Sequence, residues 1–138
     1  MPVKDVMHGA TILSPETSIL DVSEMMREKN IGSVLVKMSH ASYGIVTERD
    51  IVTKVVARKL EPSETKASDA MTELKYTIDA QASLDDASKI FNEQPIRRLP
   101  VTENGEIIGM ITTRDVARRK SYDYRFSKKT YGTTGRFR

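Results

Sequence analysis

Apolar residues recur at helical spacing in two stretches of the chain, and each stretch follows a serine that has an aspartate three residues later. The two stripes are Ile19, Val22 and Met26 after Ser18, and Leu84, Ala87, Ile90 and Phe91 after Ser83. A serine followed by an acidic residue at the third position is a common helix start. The spacing therefore predicts two amphipathic helices, each with one apolar face.

Two short apolar runs separated by a turn follow each predicted helix, which indicates paired β-strands. In the second half the turn is Asn104-Gly105, a strong hairpin signal because both residues accept a positive φ. In the first half residues 37–43 span the same length without an Asn-Gly pair. The later run ends at a threonine in both halves, and a further helix is predicted there. In the first half the residues expected on one face of that helix are Ile51, Val52, Val55 and Val56.

The two halves are related by a nearly constant offset. The string GIVTERDIV at residues 44–52 returns as GMITTRDVA at residues 109–117, which is 65 residues later. The helix starts share this offset, and KDVM at residues 4–7 precedes SDAM at residues 68–71 by 64. The chain is therefore predicted to be one strand–helix–strand–strand–helix unit used twice, in an α/β (α+β) fold.

The repeat also gives the predicted boundaries. Residues 1–57 form the first repeat, 58–66 a charged linker, 67–120 the second repeat and 121–138 a tail. One unit of about 55 residues would expose an apolar sheet face and be marginally stable alone. Two units can bury these faces against each other, which favours a single tandem module.

The composition excludes several classes of protein. The chain has no cysteine, so disulfide and thiolate chemistry are excluded. Its two histidines, His8 and His40, are isolated in the sequence, and a surface position without a partner is expected for both. No apolar run reaches the length needed to cross a bilayer, and the amino terminus lacks a signal-peptide core. These features predict a cytoplasmic protein with no membrane partner.

Positive charge is concentrated at the carboxyl terminus. Residues 1–117 carry 14 Lys and Arg against 18 Asp and Glu, whereas residues 118–138 carry 8 against 1. Five of the eight aromatic residues also lie in the tail. Basic residues interleaved with aromatics can neutralise phosphates and stack on bases, so one hypothesis for the tail is nucleic-acid binding. The alternatives are a solvated, disordered end and docking of the aromatics on the body or on a second subunit.

The repeated threonine and aspartate support two interpretations. As a capping box, the pair would only start a helix. As a binding site, the helix start suits a phosphate, an arginine adds a cation, and the carboxylate can accept both hydroxyls of a ribose. The binding residues would be Thr47, Arg49 and Asp50 in the first half, and Thr112, Arg114 and Asp115 in the second.

The pattern Gly-x-x-Thr-x-x-Asp at a strand-to-helix corner resembles the signature of CBS domains, which pair in tandem as a Bateman module. The segments RRLPV, DVMH and DAMT are also similar to that family, and the resemblance covers about residues 1–120 in both repeats. It implies a pseudo-twofold pair of β-α-β-β-α units that leave two clefts. These clefts would take adenosyl ligands such as AMP, ADP, ATP or S-adenosylmethionine.

The resemblance assigns further contacts to each cleft. In the cleft of the second repeat, the phosphate contacts would be Arg97 and Arg98. The adenine would lie against Ile12, Leu13 and Pro100. In the cleft of the first repeat, the far wall would be Thr77 and Ile78.

The two predicted clefts are not equivalent. Where the second repeat has two arginines at residues 97–98, the first has glycine and serine at residues 32–33, which removes two cations. The second cleft is therefore predicted to bind the more highly charged nucleotide, and the first to bind weakly or stay empty. The glycines that begin the repeated strings, Gly44 and Gly109, are expected to let a backbone approach closely.

No catalytic set is visible in the sequence, since it lacks a nucleophile beside a base, metal ligands at usable spacing and a phosphate-binding loop. The first functional hypothesis is a regulatory, non-enzymatic module that senses an adenine nucleotide, signals to a protein partner and needs no cofactor. A homodimer is expected, with the helices of residues 51–60 and 115–120 as candidate contacts. The second hypothesis is a nucleic-acid-associated protein that uses the repeats as a dimerising scaffold for its tail.

Overall fold

The structure is a computed structural model, and it describes residues 1–39 and 42–119. The predictions for the basic tail and for His40 lie outside the described residues. The described chain divides into two compact units, which we name unit I and unit II. Unit I consists of Gly9–Thr77 with Asn104–Glu106, and unit II consists of Met1–His8, Ile78–Glu103 and the described chain from Ile107 onward.

Unit I contains the first predicted series of strands and helices. Its elements are β1 (Ile12–Leu13), α1 (Ile19–Lys29), β2 (Ser33–Ser39), β3 (Ser42–Thr47), α2 (Glu48–Ile51), α3 (Ala67–Ala70) and β4 (Thr72–Glu73). The helix α2 continues directly into a π-helical segment, Val52–Val56, and a short 3-10 helix, Pro62–Glu64, lies in the predicted linker. A π-helical turn is rare in proteins and often occurs at a functional position.

Unit II repeats the series. Its elements are β5 (Ile78–Asp79), α4 (Leu84–Glu93), β6 (Arg98–Glu103), β7 (Glu106–Thr112, whose first residue is grouped with unit I) and α5 (residues 113–119), preceded by a 3-10 helix at Val3–Asp5. The predicted α/β (α+β) fold and the order of elements within each repeat are confirmed. Among the described residues, no helix has the length and apolar character of a membrane span.

The sheet of unit I has the strand order β1-β2-β3-β4. Strand β1 runs parallel to β2, whereas the β2–β3 and β3–β4 pairs are antiparallel. The predicted stripe of α1 is buried in one core cluster with side chains of β2 and β3: Ile19, Val22, Met26, Val34, Val36 and Val46. The apolar face read from the 3.6-residue spacing is therefore the face that packs on the sheet.

The sheet of unit II has the order β5-β6-β7, with β5 parallel to β6. Asn104 and Gly105 form the turn from β6 to β7, and their φ angles are 55° and 81°. The predicted hairpin turn is confirmed, because this geometry needs residues that tolerate left-handed backbone. In the core, Leu84 and Ala87 of α4 are buried, and the rest of the α4 stripe packs partly buried beside them.

Ser18 and Ser83 begin α1 and α4 as predicted. The hydroxyl of Ser18 accepts a hydrogen bond from the amide of Asp21 at 3.1 Å. At α4 the bonds are reciprocal: the hydroxyl of Ser83 accepts from the amide of Asp86, and the Asp86 carboxylate accepts from the amide of Ser83, both at 3.0 Å. The second helix therefore has a complete capping box and the first has half of one.

Each compact unit takes in the leading segment of the other repeat. Residues 1–8 pack in unit II, where Val3 is fully buried and its amide donates to the carbonyl oxygen of Ala82 at 2.7 Å. The segment that contains SDAM packs in unit I, where the amide of Ala67 donates to the carbonyl oxygen of Thr17 at 2.7 Å. Each leading segment is thus brought to the Thr-x-x-Asp corner of the opposite repeat.

The helix after Thr47 buries only part of its predicted apolar stripe. Val55 is fully buried and Ile51 is half-buried, but Val52 and Val56 are 57% and 61% exposed. Successive side chains on a helix point about 100° apart, so these four residues cover a wide arc, and here the core covers only the side with Ile51 and Val55. Ile51 and Val55 therefore face the core, whereas Val52 and Val56 form the solvent-exposed edge of the predicted stripe.

Candidate functional site

Both repeated strings fold into the same strand-to-helix corner, which we name the Thr47 corner and the Thr112 corner. In the first, the amide of Thr47 donates to Oδ2 of Asp50 at 2.9 Å, and the amide of Asp50 donates to Oγ1 of Thr47 at 3.2 Å. The bonds of Thr112 and Asp115 have the same partners and the same lengths. The capping interpretation is confirmed at both corners. It occupies only one carboxylate oxygen at each, so the remaining contacts decide what each corner can bind.

The carboxylate of Asp50 is fully occupied by groups of unit I. Its Oδ2 accepts from the amide and from the hydroxyl of Thr47, at 2.9 and 3.1 Å. Its Oδ1 accepts from the hydroxyl of Thr72 at 3.2 Å and lies 3.1 Å from Nζ of Lys54. A carboxylate offers about four lone-pair positions, so all of them are used here. Asp50 itself is buried, with 8% of the residue exposed.

Lys54 ties the Thr47 corner to the segment α3–β4. Besides Asp50, its ammonium group lies 3.0 Å from Oγ1 of Thr72, 3.3 Å from the carbonyl oxygen of Ala70 and 3.5 Å from that of Met71. An ammonium group has three donors, and these oxygens supply more than enough partners for them. The pair between Lys54 and Asp50 is thus part of a network that joins two segments of unit I.

Among the described residues, the contacts of the Asp115 carboxylate occupy only one of its two oxygens. Its Oδ2 accepts from the amide of Thr112 at 2.9 Å and lies 3.2 Å from Nε2 of His8. Its contacts with the described residues go through Oδ2, which leaves Oδ1 for a ligand. Two acceptor positions are therefore open on Oδ1, and a ribose has two neighbouring hydroxyl donors. The Asp115 side chain is 18% exposed, compared with 12% for that of Asp50.

The expectation that His8 has no partner is wrong. The backbone of His8 pairs with that of Met110 through hydrogen bonds of 3.0 and 2.9 Å, and this places the imidazole against Asp115. A signal for this contact was present in the repeat. At the offset of 64, His8 corresponds to Thr72, and the hydroxyl of Thr72 contacts Asp50. The same backbone position thus supplies a contact to the acid at both corners.

An open depression of about 300 Å³ lies at the Thr112 corner, and its lining residues are Val6, Asp115, Arg118 and Arg119. This volume is at the lower end of the range for small-molecule sites, roughly 300–1,000 Å³. The two arginines add positive charge to the depression that contains the Asp115 carboxylate. The repeated string does not contain them, because they follow Asp115 by three and four residues, which is one turn along α5.

The predicted cations of the corners lie at or beside them. Arg49 and Arg114 are exposed within the two corner strings. The carbonyl oxygen of Arg97 accepts a hydrogen bond from the amide of Thr113 at 3.0 Å, which brings the start of β6 next to the Thr112 corner. Arg97 is exposed and Arg98 is half-buried. Contact of these arginines with a phosphate stays a prediction.

The residues predicted to contact adenine are divided between the units. Unit I contains Ile12, Leu13 and Thr77, and unit II contains Pro100 and Ile78. Ile12 and Thr77 are exposed and Leu13 is half-buried, whereas Pro100 and Ile78 are buried. Their contact with a ligand also stays a prediction.

Gly44 and Gly109 make room for the leading segments. A Cβ atom on Gly44 would overlap the thioether of Met71. A Cβ atom on Gly109 would overlap the side chain of Met7 and lie 2.9 Å from the carbonyl oxygen of His8. A backbone therefore approaches Gly109 as expected, whereas the group that approaches Gly44 is the side chain of Met71.

Comparison with known sequences gives a family match along most of the chain. The sequence model of the CBS domain matches twice, over residues 3–57 and 67–122. An uncharacterized protein of Methanopyrus kandleri is 36% identical over 121 residues, which make up 86% of this chain and 60% of the relative. The chain therefore spans less than two thirds of the length of this relative.

Solved structures share the fold. The CBS-domain-containing protein of Agrobacterium tumefaciens is 28% identical, with a TM-score of 0.74 over 87% of this chain and 99% of that protein. The protein CBSX2, solved in complex with AMP, is 24% identical, with a TM-score of 0.74 over 90% of this chain and 99% of that one. At the latter identity the similarity concerns the fold alone. From the double family match, the shared fold and the two Thr-x-x-Asp corners it follows that this chain belongs to the CBS domain family and carries two CBS domains in tandem.

Proposed function

We propose that this chain is a regulatory module that binds an adenosyl ligand, an adenine nucleotide or S-adenosylmethionine, at the Thr112 corner. The observation that carries the proposal is the half-occupied carboxylate of Asp115. Its Oδ2 is held by the amide of Thr112 and by His8, so the group has a defined orientation, while no contact with the described residues uses the two acceptor positions of Oδ1. An acidic side chain that accepts both ribose hydroxyls is a common device for nucleotide recognition.

Positive charge at this corner supports a phosphorylated ligand. Arg118 and Arg119 line the depression that contains Asp115, and Arg114 is exposed on the same helix. Guanidinium groups bind phosphate oxygens through paired, charge-assisted hydrogen bonds. A nucleoside without phosphate would leave these donors unused, so we expect AMP, ADP or ATP to bind more tightly than adenosine. The CBSX2 complex contains AMP, and the corner residues lead us to propose the same class of ligand here.

Signalling through a homodimer is the second part of the proposal. Val52 and Val56, which follow the Thr47 corner, are 57% and 61% exposed, and Leu60 is 45% exposed. Val52 and Val56 lie four apart in the helical segment and share one face, whereas Leu60 follows the end of that helix. The exposed valine face on unit I suits contact with a second copy of the chain. Light scattering with and without nucleotide measures whether the chain self-associates and whether the ligand changes the assembly.

Titration calorimetry of AMP, ADP, ATP and S-adenosylmethionine into the chain tests the binding site, with Asp115→Asn and Asp50→Asn as matched variants. Asparagine keeps an oxygen for the cap but places an amino group, which cannot accept a hydrogen bond, at the position of Oδ1. Asp115→Asn is expected to weaken nucleotide binding about 10- to 100-fold, since hydrogen bonds to charged groups contribute about 1.5–3 kcal/mol. Asp50→Asn is expected to leave the affinity unchanged.

Thermal melts without ligand show whether each variant is folded. If calorimetry detects no binding of any of the four ligands, the proposal of an adenosyl site is wrong. Equal losses of affinity in the two variants would contradict the assignment of binding to the Thr112 corner.

A further inference from the structure

We propose that Lys54 is a built-in occupant of the Thr47 corner, so that the chain binds one nucleotide and not two. This inference rests on the proposed function of the Thr112 corner and concerns the other corner. Lys54 lies outside the Thr-x-x-Asp string, four residues after Asp50. Its ammonium group takes an acceptor position that a ribose hydroxyl would need.

The hydrogen bonds of Asp50 leave a ribose no acceptor. Oδ2 is used by Thr47, and Oδ1 is used by the hydroxyl of Thr72 and by the ammonium group of Lys54. One ribose hydroxyl could donate to Oδ1 only by displacing Thr72 or Lys54, and both hydroxyls could donate only by displacing both groups. The displaced ammonium would lose its charged partner, although its side chain is 36% exposed and could still contact water. Hydrogen bonds to charged groups are among the stronger ones in proteins, so displacement opposes binding at this corner.

The Thr112 corner has different side chains at the two equivalent positions. Arg119 corresponds to Lys54 at the offset of 65, and His8 corresponds to Thr72 at the offset of 64. Lys54 pairs with Asp50, whereas Arg119 lines the depression. His8 contacts Oδ2 of the acid, whereas Thr72 contacts Oδ1. The two corners therefore share one backbone geometry, but Oδ1 of Asp50 is occupied whereas the described residues leave Oδ1 of Asp115 open.

The helix that carries Lys54 is itself unusual. The amide of Ala57 donates to the carbonyl oxygen of Val52 at 2.9 Å, which is the wide spacing of a π-helix. The hydroxyl of Thr53 donates to the carbonyl oxygen of Arg49 at 2.7 Å. In unit II the helix after the corner is an α-helix over residues 113–119. The π-helical turns thus occur in the helix whose lysine reaches across to α3 and β4.

Binding stoichiometry tests the inference. We expect calorimetry with AMP to give one site per wild-type chain, and two sites for the double variant Lys54→Met with Thr72→Val, which frees both positions on Oδ1. The new site should be the weaker one, because residues 32–33 supply no cation where the second repeat has two arginines. Lys37→Met is the matched control, since Lys37 is an exposed lysine of β2 in the same unit. It should keep one site.

The outcomes separate this inference from the proposed function. Two sites in the wild-type chain, one of them lost in Asp50→Asn, would overturn the inference and leave nucleotide binding intact. A folded double variant that still binds one nucleotide would also overturn it. No binding to the wild-type chain would remove the proposed function, and a single new site in the double variant would then still support the role of Lys54. If the double variant does not fold, the number of sites in the wild-type chain and in Asp50→Asn decides. One site in both supports the inference, and two sites in the wild-type chain with one in Asp50→Asn overturn it.

Discussion

The Thr47 and Thr112 corners have the same cap, with donor–acceptor distances of 2.9 and 3.2 Å in both, and they differ in what reaches the second oxygen of the acid. At Asp50 that oxygen is taken by Lys54 and Thr72. At Asp115 the histidine shares the capping oxygen instead, and arginines line an open depression. A duplicated backbone can therefore carry one closed and one open corner.

The difference shows that the motif alone does not define a binding site. Thr-x-x-Asp is present in both repeats and forms the same hydrogen bonds in both. The state of the carboxylate depends on one residue a helical turn away and on one residue in the leading segment of the other repeat. Both lie outside the string by which the corner is identified.

The glycines before the corners give the largest expected effect on stability. Gly109→Ala should lower the free energy of unfolding by about 2–3 kcal/mol, because overpacking costs roughly 1–3 kcal/mol and the carbonyl oxygen of His8 cannot swing away. Gly44→Ala should cost about 1 kcal/mol, since it meets the flexible side chain of Met71. Urea unfolding measures both, and Gly9→Ala is the control because, among the described residues, no atom beyond its chain neighbours lies within 4 Å of its added Cβ. Equal losses in the free energy of unfolding for Gly109→Ala and Gly44→Ala would contradict the expected difference between the two corners.

Removing Asp50 should lower stability more than removing Asp115, whereas nucleotide binding should depend on Asp115 and not on Asp50. Asp50→Ala should cost about 2 kcal/mol, because it removes a cap and leaves Lys54 and Thr72 without their charged partner. Asp115→Ala should cost about 1 kcal/mol, which is the usual value for a lost cap. The free energy of unfolding in urea gives both values.

A double-mutant cycle checks the cause of the larger loss. Adding Lys54→Met to Asp50→Ala should recover part of the stability, since the unpaired ammonium group is then absent. Strictly additive losses would show that the ion pair contributes nothing to the Thr47 corner.

The smallest expected effect concerns the caps of α1 and α4. Hydrogen bonds from the backbone amide and the hydroxyl of Ser83 hold the pKa of Asp86 below its usual value of 3.8. The stability that this carboxylate contributes is present above pH 3.8 and is lost as the pH falls through the lower pKa of the folded state. The urea concentration at the midpoint of unfolding should therefore fall as the pH is lowered, and Ser83→Ala should make this midpoint depend less steeply on pH. Ser18→Ala, at the half cap, should change this dependence less.

The sequence by itself determined the elements whose geometry depends on neighbouring residues. The spacing of Ile19, Val22 and Met26, the Asn104-Gly105 turn and the threonine caps all formed as predicted, because helix periodicity, left-handed backbone and capping bonds involve residues within a few positions of each other. The repeat predicted the order of elements, because similar local sequences form the same helices and strands in both halves. The exposure of Val52 and Val56 could not be read from the spacing, because periodicity gives a stripe but not how much of it a core covers.

Only the tertiary structure decided the state of each acid. Thr72 follows Asp50 by 22 residues, and His8 lies at the other end of the described chain from Asp115. Such contacts depend on which compact unit takes in each leading segment, and local propensity carries no information on that choice. A carboxylate accepts hydrogen bonds from any donor within about 3 Å, so its remaining capacity is a property of packing. The difference between an open and a closed corner is therefore fixed by the fold.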